Sequence, residues 1–243
     1  MRLLIVIAAL LVGQTAAAAA CRETAFEAVS YAVCAAQSGD DLRLFLNGAA
    51  GAYGGFSAVD ADLAPQGLAL GFAMNAGMFR PDLTPVGLYV EDGKQLRPIV
   101  TSDGPGNFGL LPNGVFCIGD RFSVVESRRF AKAKPACRFA SQSGPMLVID
   151  GAEHPLFKPT SDSLHLRNGV GVSADGKTAY FAISDQAVSF DSFARFFRDG
   201  LKTPNALYFD GSVSRLYAPE LGRSGAGFGI GPMVGLVVAK AAN

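Results

Sequence analysis

Five short polar stations could do chemistry, and each follows an apolar run that reads as a strand. They are Asn75 in FAMNAGMF, Ser143 and Gly144 in QSGPM, Arg167 in LHLRNGVGV, Asp185 in FAISD and Asp210 in ALYFDGSVS. Strand ends can converge at one rim of a sheet, where sites are commonly built. Arginine offers planar donors suited to an oxyanion, aspartate a base or a partner for a developing cation, and asparagine neutral donors. The same residues also make ordinary turns. Asn75-Ala76-Gly77 fits a left-handed turn, Arg167-Asn168-Gly169 a loop and Asp210-Gly211 a hairpin, so on spacing alone turns account for them.

Absent signatures narrow the chemistry. The chain has no Gly-x-Ser-x-Gly elbow and no His-Glu-x-x-His. It has only two histidines, His154 after a hairpin and His165 before an arginine, which leaves little for a histidine-dependent triad or a multi-histidine metal site. Both read as surface or supporting residues.

The elements that must position these stations begin after a leader. Arg2 precedes the apolar run Leu3 to Val12, and Ala18-Ala19-Ala20 follows. That pattern is a secretory signal peptide over residues 1–20, too short in its apolar part to span a bilayer, and leaves one domain over 21–243. Export to the periplasm or medium is expected. Cys21 directly after the cleavage point also admits a lipoprotein, although the leucine usual in such a signal is missing. Four cysteines in an exported chain can pair in three ways; proximity in sequence favours Cys21 with Cys34 and Cys117 with Cys137. No Cys-x-x-Cys suggests zinc.

With 49% hydrophobic residues and 29 glycines, the composition is that of a folded, turn-rich protein. Lys plus Arg and Asp plus Glu both number 21, so no charge excess argues for nucleic acid. The apolar stretch Gly229 to Ala239 reads as a closing strand, too short for a stable membrane span.

Asp-Gly pairs at 92–93, 150–151 and 175–176 sit between β-runs and read as type I′ hairpins, with a fourth hairpin through Gly119-Asp120. Earlier strands are expected at FEAVSYAVC, LRLFL and LALGFAM. Ser57 to about Gln66 reads as a helix capped by Ser57 with Asp60 three residues on. Ser189 to Leu201 reads as a second, whose Phe190, Phe193, Ala194, Phe197 and Leu201 form one packing face. The expected fold is α+β, one domain with a mixed, largely antiparallel sheet built from hairpins and a few packed helices.

The ordered set Asn75-Ala76-Gly77-Met78-Phe79, Ser143-Gly144-Pro145-Met146-Leu147, Arg167-Asn168-Gly169-Val170-Gly171 and Asp210-Gly211-Ser212-Val213-Ser214 resembles the phosphodiester glycosidase family, from about Phe26 to Val238. It departs where the eukaryotic pattern reads Asp-Gly-Gly-x-Ser-Thr: Asp210 and Ser214 match, but Ser212 and Arg215 replace the second glycine and the threonine. The resemblance implies hydrolysis of a small-molecule or glycan sugar-1-phosphodiester to free sugar and phosphomonoester; no cofactor is expected, and no residue is assigned as a metal ligand. Arg167 would hold phosphate, and Asp210, with Asp185 as a second carboxylate, would serve the anomeric carbon. Asn75, Gly77, Ser143, Gly144, Gly211 and Ser214 would line the substrate site, with Gly144 letting the backbone approach substrate. A phosphate leaving group lessens the need for a general acid, in keeping with a histidine-poor site. A non-catalytic binder of envelope glycans or anionic polymers, and a structural domain in which the stations are only turns, remain the alternatives.

Overall fold

Short apolar runs separated by tight turns favour antiparallel pairing, since a hairpin reverses the chain within a few residues. The computed structural model describes residues 21–227 and 229–240, so the expected signal peptide lies outside the described residues. A seven-stranded sheet runs in the order Cys21–Phe26, Val29–Gln37, Thr178–Ser184, Asn168–Val172, Asn205–Tyr208, Met146–Ile149 and Ala152–Glu153. A second sheet orders Phe122–Glu126, Gly114–Ile118, Phe139–Ser143, Tyr89–Glu91 and Lys94–Arg97. A third orders Arg223–Ser224, Leu216–Ala218, Leu68–Asn75, Met233–Ala239 and Leu42–Phe45. The expectation of one mixed sheet is corrected: there are several sheets, and every described strand ladder is antiparallel.

Alternation along the strands explains how three sheets share a core. Cys34, Phe181 and Leu207 of the seven-stranded sheet point into one cluster with Phe116 and Phe139 of the second sheet and Leu44, Phe72 and Val234 of the third. Their neighbours Val33, Ala182 and Tyr208 face a second cluster built on Phe193, Phe196 and Phe197. Those phenylalanines come from Phe190–Arg195, capped by the Ser189 hydroxyl accepting from Ser192 N, and its π-turn continuation Phe196–Gly200. The aromatic face is core packing, as the pattern suggested.

Several local readings change. The run FEAVSYAVC is not one strand: Glu27 and Ala28 turn the chain at φ 48° and 62°, and Phe26 pairs with Val29. Pairing of the two flanking strands overrides the reluctance of these residues toward positive φ. Asp92-Gly93 and Asp150-Gly151 do take the expected doubly left-handed turn, at 46° and 74° and at 49° and 85°. At Asp175-Gly176 only the glycine does, φ 71°, within a four-residue turn closed by Gly176 N donating to Ser173 O. Gly171 to Thr178 also spell the Gly-x-x-x-x-Gly-Lys-Thr phosphate-loop pattern, but Thr178 opens a strand rather than a helix, so no helix N-terminus faces a phosphate there. The first helix, Phe56–Leu63, has Gly55 as its N-cap with no side-chain cap. Ser57 lies inside it, and Asp60 accepts from Leu70 N at 2.8 Å instead.

Both disulfides join the cysteines that sequence proximity paired. Cys21 and Cys34 stand directly opposite across the first hairpin, and Cys117 is joined to Cys137 over a separation of 20 residues. A loop of that length constrains the unfolded chain by about 3 kcal/mol. Replacing Cys117 and Cys137 together by alanine is therefore expected to lower the unfolding free energy by about that amount in urea titration.

Candidate active site

Asn75 ends the central strand of the third sheet, and Asn168 begins a central strand of the seven-stranded sheet. Their side-chain amides meet in the buried interior. Asn168 Nδ2 donates to Asn75 Oδ1 at 2.6 Å, and Asn75 Nδ2 faces Asn168 Oδ1 at 3.4 Å. Each amide oxygen also receives a backbone group from the loop after Tyr208: Asp210 N donates to Asn168 Oδ1 at 3.2 Å and Arg215 N to Asn75 Oδ1 at 2.9 Å. The second sheet joins the same place. The Ser141 hydroxyl donates to Ala76 O at 2.6 Å and the Ser143 hydroxyl to Phe209 O at 2.7 Å.

Asp210 is held by this frame with its side chain nearly buried. Its Oδ1 accepts from Ser212 N at 2.8 Å. Burial pushes its carboxyl above the ordinary aspartate range, while backbone N–H groups of Ser212, Gly211 and Val213 pull the other way. Unlike Asp92 and Asp150, neither Asp210 nor Gly211 is among the described residues with positive φ. The Asp210-Gly211 pair is thus not one more left-handed hairpin.

Arg167 immediately precedes the strand Asn168–Val172 and packs against Phe190 and Tyr208 rather than toward Asn75. Its guanidinium lies 3.6 Å from the Phe190 ring centroid, with Nε donating to Val188 O at 2.8 Å and Nη2 to Ser163 O at 2.9 Å. Arg167 is 0% exposed, and no carboxylate among the described residues pairs with it. Burial holds it below the usual arginine range, though a guanidinium stays charged. Tyr208 links the two charged residues: Arg167 favours the ionised form of its phenol and Asp210 disfavours it, while burial keeps the phenol protonated. Both charges thus act on the same hydroxyl.

The remaining expected residues divide into supports and outliers. Gly77 sits where a Cβ would come within 3.0 Å of Ser141 Oγ, so it permits the close approach of the second sheet. Gly144 does the same toward Asn113, whose Cβ would lie 2.5 Å away; the expectation that this glycine opens the backbone to substrate is corrected to a packing role. A side chain at Gly211 would overlap the Tyr208 hydroxyl. The Ser214 hydroxyl lies 2.5 Å from Asp210 O and 3.0 Å from Leu166 O. Asp185 is not joined to this cluster by any described hydrogen bond; its carboxylate pairs with Arg223 at 2.7 Å, and Arg223 also reaches Glu23. Of the histidines, His165 is exposed, whereas His154 is buried and stacked on Phe157 at 4.7 Å. The surface reading of His154 is corrected. Among the described residues, no group of three or more His, Cys, Asp or Glu could hold a metal ion.

Two residues of the cluster escaped the sequence reading as site members. Asn168 was visible inside Arg-Asn-Gly, and a buried asparagine in a strand is uncommon enough to signal a polar pairing. Tyr208 offered only a single polar tip inside ALYF.

Residues 70–227 match the phosphodiester glycosidase family. The chain belongs to that family. The matched span contains every polar residue of the cluster. The chain is also 38% identical over 167 residues to YigE, an uncharacterized protein of Escherichia coli K12, in a match covering 68% of this chain and 65% of that protein. In fold it resembles the catalytic domain of zebrafish N-acetylglucosamine-1-phosphodiester alpha-N-acetylglucosaminidase, auto-inhibited by its pro-peptide. That likeness has a TM-score of 0.61 at 15% identity over 89% of this chain and 81% of the other. A protein of Burkholderia pseudomallei K96243 named as a putative exported protein gives a TM-score of 0.54 at 14% identity, over 86% of this chain and 74% of the other. No described helix of this phosphodiester glycosidase family member is long and apolar enough to cross a membrane.

Two outcomes follow from the geometry. Asn168→Ala strands the Asn75 amide and Asp210 N in a buried space, and is expected to cost about 3 kcal/mol of stability in denaturant titration. For Asp210, the folded carboxyl binds its proton more readily than the unfolded one. Its contribution to stability is present below the ordinary aspartate pKa and is lost as pH rises through the higher folded value. Asp210→Asn should remove that pH dependence and melt no lower than wild type at pH 7, as read by thermal denaturation.

Proposed function

We propose that this protein hydrolyses a sugar-1-phosphodiester at the anomeric carbon, releasing free sugar and a phosphomonoester. Membership of the family supports the reaction class. The observation that carries the reading is a buried cation without a carboxylate partner and a buried carboxylate that both act on the buried Tyr208 hydroxyl. Burying an unpaired guanidinium costs several kcal/mol, a cost that an incoming phosphate would offset. It would also set the substrate's direction, with phosphate toward Arg167 and the sugar carbon toward Asp210.

Cleavage of the anomeric C–O bond sends its electron pair onto the bridging phosphate oxygen, and water supplies the new hydroxyl. The raised proton affinity of Asp210 makes it a better base toward that water than an ordinary aspartate, while its charge opposes the cation developing at carbon. Asn75 and Asn168 serve the reaction indirectly, by fixing the backbone that carries Asp210. Arg167 has Nε and Nη2 committed to carbonyls, so it acts chiefly through Nη1 and its charge rather than as a free bidentate fork. Asp185, engaged by Arg223, is left outside this scheme. Two disulfides and the fold shared with an exported bacterial protein support action outside the cytoplasm by a domain of residues 21–243 freed from a signal peptide.

The test is release of free sugar from a synthetic alkyl sugar-1-phosphodiester, with melting run in parallel. Asp210→Asn is expected to lower kcat at least 100-fold, about 3 kcal/mol, without loss of fold. Arg167→Lys is expected to lower kcat/KM and the melting temperature together, because the carbonyl contacts and the stacking on Phe190 go with it. A correctly folded Asp210→Asn protein that cleaves at the wild-type rate would remove the catalytic reading. Saturable binding of the diester by wild type with no sugar released would point to a binding protein instead.

A further inference from the structure

The geometry points to Tyr208 as the second donor of a two-donor oxyanion site whose first donor is Arg167 Nη1, occupied by a phosphoryl oxygen of the substrate; this rests on the hydrolase reading above. Arg167 and Tyr208 are both fully buried, and beyond their interaction with each other Arg167 Nη1 and Tyr208 Oη have no hydrogen-bond partner among the described residues. Buried donors are ordinarily satisfied, and a pair left open beside an uncompensated positive charge is the reverse of what packing alone would select.

Both donors are aimed by the same ring. The Arg167 guanidinium lies over the face of Phe190, and the Tyr208 ring meets Phe190 edge-on, with centroids 4.8 Å apart and planes at 83°. Phe190 is in turn stacked on Phe157 at 5.0 Å. The strand Asn205–Tyr208 otherwise buries Ala206 and Leu207, so the hydroxyl is the one polar atom that its buried side chains carry into the interior. A phenylalanine would pack there without it.

The ligand's chemistry follows from the donors. Burial holds the phenol in its protonated form and the guanidinium has only N–H groups, so a third group that takes a hydrogen bond from each must be an acceptor. The positive charge makes that partner an anion. The partly exposed Gly211 stands directly over Tyr208 Oη, and any side chain on it would overlap the hydroxyl. Leu166 O is the next atom on that side, 3.5 Å from where that Cβ would stand, and the Ser214 hydroxyl bridges the Asp210–Ser214 turn to it.

Tyr208→Phe removes the hydroxyl and keeps the ring. Binding of inorganic phosphate by calorimetry is the first readout; hydrolysis of the alkyl sugar-1-phosphodiester and melting without ligand are the second and third. The variant is expected to bind phosphate about tenfold more weakly and to raise KM by a similar factor. It should melt at or above the wild-type temperature, because an unsatisfied buried hydroxyl is lost. A hydroxyl with a purely structural task would lower the melting temperature and leave phosphate affinity untouched, and that result overturns the proposal. Wild-type protein that binds no phosphate overturns it too. Phosphate binding through Tyr208 without hydrolysis of the diester would retire the hydrolase and keep the site. Hydrolysis with phosphate affinity unchanged in Tyr208→Phe would do the opposite.

Discussion

The reciprocal contact between the Asn75 and Asn168 amides joins the third sheet to the seven-stranded sheet at the point where their strand ends converge. Both side chains are wholly buried, so their hydrogen bonds form in a medium where an unmade bond costs more than it would in water. The Asn168 oxygen then fixes the main chain at Asp210, and the Asn75 oxygen fixes it at Arg215. A loop that would otherwise be free at the end of a strand is held at both ends by one amide pair. Ser141 and Ser143 bring the second sheet to the same frame, which is why the residues around it include glycines that permit close approach.

The frame supports groups that do not favour folding. Asp210 is buried and resists ionisation, Arg167 is buried without a counter-charge, and the Tyr208 hydroxyl is unsatisfied. Each is destabilising alone, and each can be retained only because surrounding packing holds it in place. The aromatic stack of Phe157, Phe190 and Tyr208 supplies that packing on one face. On the other face the shared core of three sheets supplies it. The apolar layers around the site offset these costs.

Much of the fold was legible because hairpin punctuation and strand alternation are local. Asp92-Gly93 and Asp150-Gly151 were readable from residue type, since asparagine, aspartate and glycine tolerate positive φ. Glu27-Ala28 was not, because nothing local favours that turn; the pairing of its flanking strands and the opposed Cys21 and Cys34 impose it. The division into three sheets was equally hidden, since hairpin signals say which neighbours pair but not which edges stay apart.

What the sequence by itself determined about this protein is its set of polar strand ends, its cysteine partners and its kinship, all carried by residue type and order. The tertiary structure alone decided what those residues do. It set Arg167 against Phe190 and Tyr208 and anchored the main chain at Asp210 on Asn168. It gave Asn75 to Asn168 and Gly144 to Asn113, and engaged Asp185 with Arg223. These partners lie on different strands or in separate loops, and contacts across long chain separations depend on how sheets stack, which no local pattern encodes.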